Sequence, residues 1–147
     1  MNPFARDYGS HRAVLRALLA QAKPKSVLEF GAGLNSTPEF LARPELERLV
    51  SIEPDKEWRR TVARECKDQR LVLRAKLNES PSDFDFVFID DGQNADERVK
   101  TINLVLSPDH PLTVIHDADV AEYQTAIKES AMTYCIIPTD PPTAVCW

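Results

Sequence analysis

The chain is 147 residues long, 43% hydrophobic and 28% charged, a balance that supports one globular domain with a buried core and excludes both disorder and a pair of domains. Its 18 Lys and Arg against 23 Asp and Glu leave a formal net charge of −5 with the basic residues scattered, so no nucleic-acid partner is expected. Apolar runs such as Phe86 to Ile89 fall far short of the ~18 residues that cross a bilayer, and Met1-Asn2-Pro3-Phe4 reads as neither a secretory nor a lipid-anchor signal; a cytoplasmic protein with no membrane partner is the expectation.

Between Arg12 and Ala22, the residues Val14, Leu15, Leu18, Leu19 and Ala22 recur at helical spacing and Pro24 stops the pattern, which predicts an N-terminal helix. Ser26 to Phe30 is a short apolar strand ending at Gly31-Ala32-Gly33, after which Ser36 or Thr37 caps a helix starting at Pro38. The unit repeats: Arg48 to Glu53 as strand, then Pro54-Asp55 leading into a helix through Trp58, Val62 and Cys66. A third strand lies within Arg70 to Leu77, a fourth is Asp85 to Ile89, a helix spans Asp96 to Leu106 and a fifth strand is Leu112 to Ile115. Near-continuous apolar strands separated by helices require a parallel sheet covered on both faces, so the class is α/β, doubly wound. The end differs: after a helix from Ala121 to Glu129, the strand-like runs Thr133 to Ile137 and Thr143 to Trp147 are joined only by Pro138 to Pro142, which forces them antiparallel.

Cys66, Cys135 and Cys146 show no metal-ligand spacing and are expected as reduced thiols. A hairpin centred on Asp140 and Pro141 brings Cys135 and Cys146 roughly opposite each other, the one arrangement that leaves a disulfide open.

Chemistry concentrates where strands meet helices. In Glu29-Phe30-Gly31-Ala32-Gly33 the glycines permit close approach of a ligand and positive φ, and the following helix start offers unpaired N–H groups, which suits a nucleoside-bearing cofactor; an ordinary tight turn is the plain alternative. Ser36 stands where a dinucleotide fingerprint has its third glycine, so the match to a nicotinamide site is incomplete. Glu53 ends the second strand about 20 residues past the glycines, where an acid can hold ribose hydroxyls; its alternative is a solvated acid. Asp90, Asp91, His116, Asp117 and Asp119 cluster where the fourth and fifth strands end.

On these residues the chain resembles the class I S-adenosylmethionine-dependent methyltransferases. VLEFGAG is similar to their first motif, SIEPD to the acidic end of their second strand, FDFVFIDDG and TVIHDAD to their fourth and fifth strands, and the terminal hairpin to their reversed last strand. FGAGLNST with SIEPDKEW, and FIDDGQ with HDAD, are similar to small methyltransferases, some acting on sugar hydroxyls, with two departures: Gln93 replaces a His, and Ser107 to Pro111 replaces a Lys-Pro-Gly-Gly turn. The resemblance implies a Rossmann-like seven-stranded sheet of order 3-2-1-4-5-7-6 with the last strand antiparallel. It implies S-adenosylmethionine held by Glu29, Phe30, Gly31, Ala32, Gly33, Ser36, Thr37, Glu53, Pro54, Asp90 and Asp91, and methyl transfer to a small acceptor, at an oxygen such as a sugar or phenolic hydroxyl.

Methyl transfer from a sulfonium is dominated by positioning, with a base needed only where the acceptor loses a proton. His116 is the candidate base, with Asp117 and Asp90 beside it; a strand-end histidine that merely pairs with Asp117 is the alternative, and Asp90 can instead meet the cofactor's amino group. By similarity to catechol-type relatives, Asp90 and Asp117 are candidate magnesium ligands, with Ala118 standing where those relatives have an Asn and Asp119 as the substitute ligand, although a metal-free site is favoured. Trp58 is either an adenine-stacking residue or a core anchor, Tyr8, Gly9 and Ser10 stand where a cofactor carboxylate is covered, and Leu77, Asn78 and Glu79 where adenine contacts lie in relatives. A non-catalytic or partner-dependent S-adenosylmethionine-binding subunit, a homodimer that completes its site across two chains, and a nicotinamide-dependent oxidoreductase are the competing readings.

Overall fold

The computed structural model describes residues 9–92, 94–130 and 133–147. In chain order the elements are α1 (Arg12–Ala22), β1 (Ser26–Phe30), α2 (Thr37–Leu41), β2 (Arg48–Ile52), α3 (Lys56–Glu65), β3 (Leu71–Arg74), β4 (Phe86–Ile89), α4 (Ala95–Val105), β5 (Leu112–Ile115), α5 (Ala121–Glu129), β6 (Tyr134–Ile137) and β7 (Thr143–Cys146). The strands form a seven-stranded sheet of order β3-β2-β1-β4-β5-β7-β6. Strands β1 to β5 pair in parallel, and β7 runs antiparallel to both β5 and β6.

The apolar strands divide their side chains between two cores, because successive residues of a strand point to opposite faces. Val27, Leu49, Phe86, Phe88, Val114 and Val145 pack with Val14, Leu15 and Leu19 of α1 and Phe40 of α2. Leu28, Val50, Val87, Ile89 and Ile115 pack on the other face with Ile102 and Val105 of α4 and Tyr123 and Ile127 of α5. Helices α1 and α2 are also clamped by charge: Glu39, nearly buried, receives Arg12 at 2.8 Å and Arg16 at 2.7 Å, and the bonds from Arg16 hold its carboxyl below the ordinary range.

Most boundaries follow the sequence pattern, and the third strand occupies Leu71–Arg74 within the expected run. The hairpin register pairs Tyr134 with Cys146 and Cys135 with Val145, so the two cysteines are offset by one position and face opposite sides; Cys135 is exposed, Cys146 is buried, and all three thiols are free. Among the described residues no helix is long and apolar enough to cross a membrane.

Candidate functional site

The strand order reverses between β1 and β4, and a crevice opens at the carboxyl edge of an α/β sheet at such a point. Here it is a cavity of about 690 Å³. Gly31 from the β1–α2 turn, Glu53, Pro54 and Asp55 from the β2–α3 turn, Trp58 of α3, Asp90 to Gly92 after β4, and Glu97, Lys100 and Thr101 of α4 line it.

The glycine turn is built from below. Gly31 has φ +85°, and a Cβ there would lie 2.3 Å from the Asp90 carbonyl oxygen; the position belongs to glycine because the end of β4 crosses it. At Gly33 the nearest atom to a built Cβ is Ser36 Oγ at 3.6 Å, ordinary contact. Beneath the turn Glu29 is fully buried. Its carboxylate accepts from Ser36 Oγ at 2.5 Å, Thr37 Oγ1 at 2.8 Å and Ser51 Oγ at 2.5 Å, Ser51 being its register partner on β2. Thr37 Oγ1 also accepts from Gly33 N at 3.1 Å. Burial pushes the Glu29 carboxyl up to about 7, against the pull of the three hydroxyls.

These contacts place Glu29, Ser36 and Thr37, three of the expected cofactor-binding residues, beneath the turn. Both hydroxyls turn inward to the buried acid, Ser36 makes no side-chain cap on α2, and none of the three lines the cavity. The Phe30 side chain belongs to the core. Ala32 meets the second turn through its carbonyl, which accepts from Trp58 Nε1 at 2.7 Å.

Glu53 stands across the cavity from the glycines, half-buried. Its Oε1 accepts from Asp55 N at 2.8 Å, and burial raises its pKa. Asp55 caps α3 by accepting from Trp58 N at 2.7 Å. After β4, Asp91 Oδ2 accepts from Thr101 Oγ1 at 2.6 Å, whereas Asp91 Oδ1 is buried without a hydrogen-bond partner among the described residues; burial raises this carboxyl as well.

Behind Asp90 lies a network organised by Arg98, which is 6% exposed. Its guanidinium donates to Asp91 O at 2.5 Å, His116 O at 3.2 Å, Asp117 Oδ2 at 2.9 Å and Asp90 Oδ1 at 3.2 Å, and lies over the Tyr123 ring at 5.1 Å. Asp117, at φ 56°, turns its carboxylate back toward this cation. The expected magnesium ligands Asp90 and Asp117 are thus bridged by a guanidinium, and Asp119 is exposed; the trio does not fit a magnesium ion.

His116, expected as the base, is 1% exposed and does not line the cavity. Its Nδ1 lies 3.1 Å from Asp90 Oδ1 and its Nε2 lies 3.2 Å from Ser10 Oγ, so both nitrogens are engaged and Asp90 stands between the ring and the cavity. Ser10 also donates to Pro141 O at 3.2 Å. The His11 ring, 1% exposed, packs at 4.5 Å from the His116 ring centroid and 5.0 Å from that of Phe88. Burial, with His116 adding to it, pulls the His11 imidazole down to about 4.

Other expectations separate similarly. Trp58 lines the cavity, while Gly9, Ser10 and the run Leu77 to Glu79 do not; Glu79 is instead paired with Arg48 at 2.6 Å and Arg74 at 2.5 Å. Tyr8 and Gln93 lie outside the described residues. Sequence reasoning missed Glu97, Lys100 and Thr101 on the cavity wall, and missed Arg98 and His11. Arg98 had a signal: it falls in helical step with Ile102 and Val105 on the buried stripe of α4.

No family model matches the chain, and no curated protein matches it. Solved structures do. The methyltransferase domain of bacterial CtHen1 superposes with a TM-score of 0.69 at 11% identity, covering 94% of this chain and 96% of that one. An O-methyltransferase from Bacillus cereus, in complex with SAH, gives 0.69 at 15% identity, covering 98% and 83%. The O-methyltransferase TomG from Streptomyces achromogenes, in complex with SAM, gives 0.65 at 14% identity, covering 99% and 82%. With the strand order and reversed last strand described above, this likeness makes the fold that of the α/β methyltransferases.

Proposed function

We propose that the protein takes a methyl group from S-adenosylmethionine and delivers it to an oxygen of a small acceptor, such as a sugar or phenolic hydroxyl. The observation that carries this reading is the cavity at the reversal of the strand order, lined by Gly31 after β1 and Glu53 after β2. The lining fits the cofactor: Asp91 Oδ1 is a buried acceptor without a donor among the described residues, and S-adenosylmethionine brings an ammonium, ribose hydroxyls and an adenine amino group that donate. Structural neighbours solved with SAH and SAM support the same choice.

When bound, the cofactor supplies an activated methyl on a sulfonium. In this reading Glu53 takes ribose hydroxyls and the turn around Gly33 gives the ligand backbone to lie against. Asp90 alone of the candidate catalytic trio lines the cavity, so it is assigned the acceptor hydroxyl, while Arg98 and His116 hold its carboxylate from behind. Catalysis then rests on holding acceptor and methyl in line.

Calorimetric titration with S-adenosylmethionine and S-adenosylhomocysteine, with NAD as control and magnesium present or absent, tests this directly. Saturable binding of the sulfur compounds but not NAD, indifferent to magnesium, is expected. Absence of their binding sinks the proposal, and binding of NAD instead revives an oxidoreductase. Binding without turnover across a screen of sugars and phenols favours the non-catalytic alternative.

A further inference from the structure

We infer that His11, His116 and Asp90 form a binding site for a divalent transition metal ion behind the cavity wall. One ligand atom from each lies within 4.8 Å of the others, and the residues come from three separate parts of the chain: the start of α1 and the ends of β5 and β4.

A second, independent observation points to a ligand here. His11 is 1% exposed, yet neither ring nitrogen has a hydrogen-bond partner among the described residues. It occupies the N-cap position of α1 without making a side-chain cap, so the ring does nothing for its own helix. A buried imidazole with two unmet nitrogens is costly unless something satisfies it. Its neutral form is the one a metal requires.

The surroundings of His116 are compatible with the same site. Its Nε2 lies 3.2 Å from Ser10 Oγ, which donates to Pro141 O at 3.2 Å. Its Nδ1 lies 3.1 Å from Asp90 Oδ1, an oxygen that Arg98 also reaches at 3.2 Å. The 3.1 Å between His116 Nδ1 and Asp90 Oδ1 is close to the roughly 3.3 Å between neighbouring ligand atoms of a tetrahedral zinc ion with bonds near 2.0–2.1 Å. The Nε2–Ser10–Pro141 chain is the kind of outer contact that fixes a ligating imidazole in one tautomer.

Two imidazoles and one carboxylate select zinc, cobalt, nickel, copper or iron rather than magnesium, which prefers oxygen. Three protein ligands leave a coordination position for water or a hydroxyl. Binding of the ion does not rest on the proposed function.

The test is titration of chelator-treated protein with Co²⁺, followed by visible absorption and calorimetry, then displacement by Zn²⁺. One ion per chain is expected, with visible bands and no thiolate charge-transfer band in the near ultraviolet. His11→Leu, which keeps an apolar side chain against Phe88, and His116→Gln should each weaken binding by more than the roughly 10–100-fold that outer contacts contribute, and Ser10→Ala by about tenfold. Far-ultraviolet circular dichroism establishes which variants fold, and the two histidine variants test the site from different elements. Absence of binding, binding unchanged in a folded histidine variant, or a thiolate band placing the ion on a cysteine overturns the inference.

Discussion

Gly31 and Asp90 meet backbone to backbone: a Cβ on the glycine would stand 2.3 Å from the aspartate's carbonyl oxygen. The first glycine of the turn is therefore demanded by strand packing as well as by any ligand, whereas Gly33 has ordinary room around it. Gly31→Ala should destabilise the fold by roughly 2–5 kcal/mol, combining the left-handed backbone with overpacking. Gly33→Ala should change stability by less than about 1 kcal/mol while weakening S-adenosylmethionine binding at least tenfold. Urea unfolding and calorimetry read the pair; equal stability losses would remove the distinction.

Glu53 faces the cavity with one oxygen tied to the Asp55 amide. Removing a charged acceptor of ligand hydroxyls costs about 1.5–3 kcal/mol, so Glu53→Ala should weaken cofactor binding between about 10- and 150-fold and leave the melting temperature nearly unchanged. Competition binding with S-adenosylhomocysteine measures it, and undiminished affinity would withdraw the ribose assignment.

Arg98 serves two acids and two carbonyls from a buried helix face. Arg98→Ala takes the guanidinium from Asp90 and Asp117, which are about a quarter exposed, so the loss should fall below the roughly 3–5 kcal/mol of a fully buried broken pair. Adding Asp117→Asn to the variant should recover part of that loss, since one of the two acids that faced the guanidinium is neutralised. Denaturant midpoints of the single and double variants decide whether the two residues are coupled.

Glu29 makes a prediction about pH. Its carboxyl has an ordinary value of 4.5 and is raised by burial to about 7 in the fold, so the native state holds the proton more tightly than the unfolded chain. Its contribution to stability is fully present below pH 4.5 and is lost as pH rises through 7. Glu29→Gln, neutral throughout, should lose that dependence, and the stability of wild type relative to the variant should fall between pH 4.5 and 7. His11, lowered to about 4, acts in the opposite sense over part of this range, and taking the difference between the two proteins cancels it. A pH-independent difference would mean that Glu29 is ionised throughout.

The sheet was legible because each parallel strand is a short apolar run ended by a turn signal, and the reversed hairpin because five residues allow no other connection between Ile137 and Thr143. The rims of the cavity were legible too, since Gly31 and Glu53 end strands. What escaped was the inward side. Glu29 reads as a ligand-facing acid until strand alternation sets it beside Val27 on the α1–α2 face, where Ser36, Thr37 and Ser51 close on it. Arg98 falls in helical step with Ile102 and Val105, a local sign of burial that its charge masks. The pairing of His11 with His116 joins residues 105 positions apart, beyond the reach of any spacing argument.

The Glu29 network also bears on how a ligand is received. Gly33 N is tied through Thr37 to a buried carboxyl that three hydroxyls hold, and the Ala32 carbonyl is tied to Trp58. The rim is thus cast by the protein's interior, so an arriving molecule meets a finished contour. Little ordering of this segment remains to be done on binding, and selectivity at this end of the cavity comes from rejecting shapes that do not match a fixed mould.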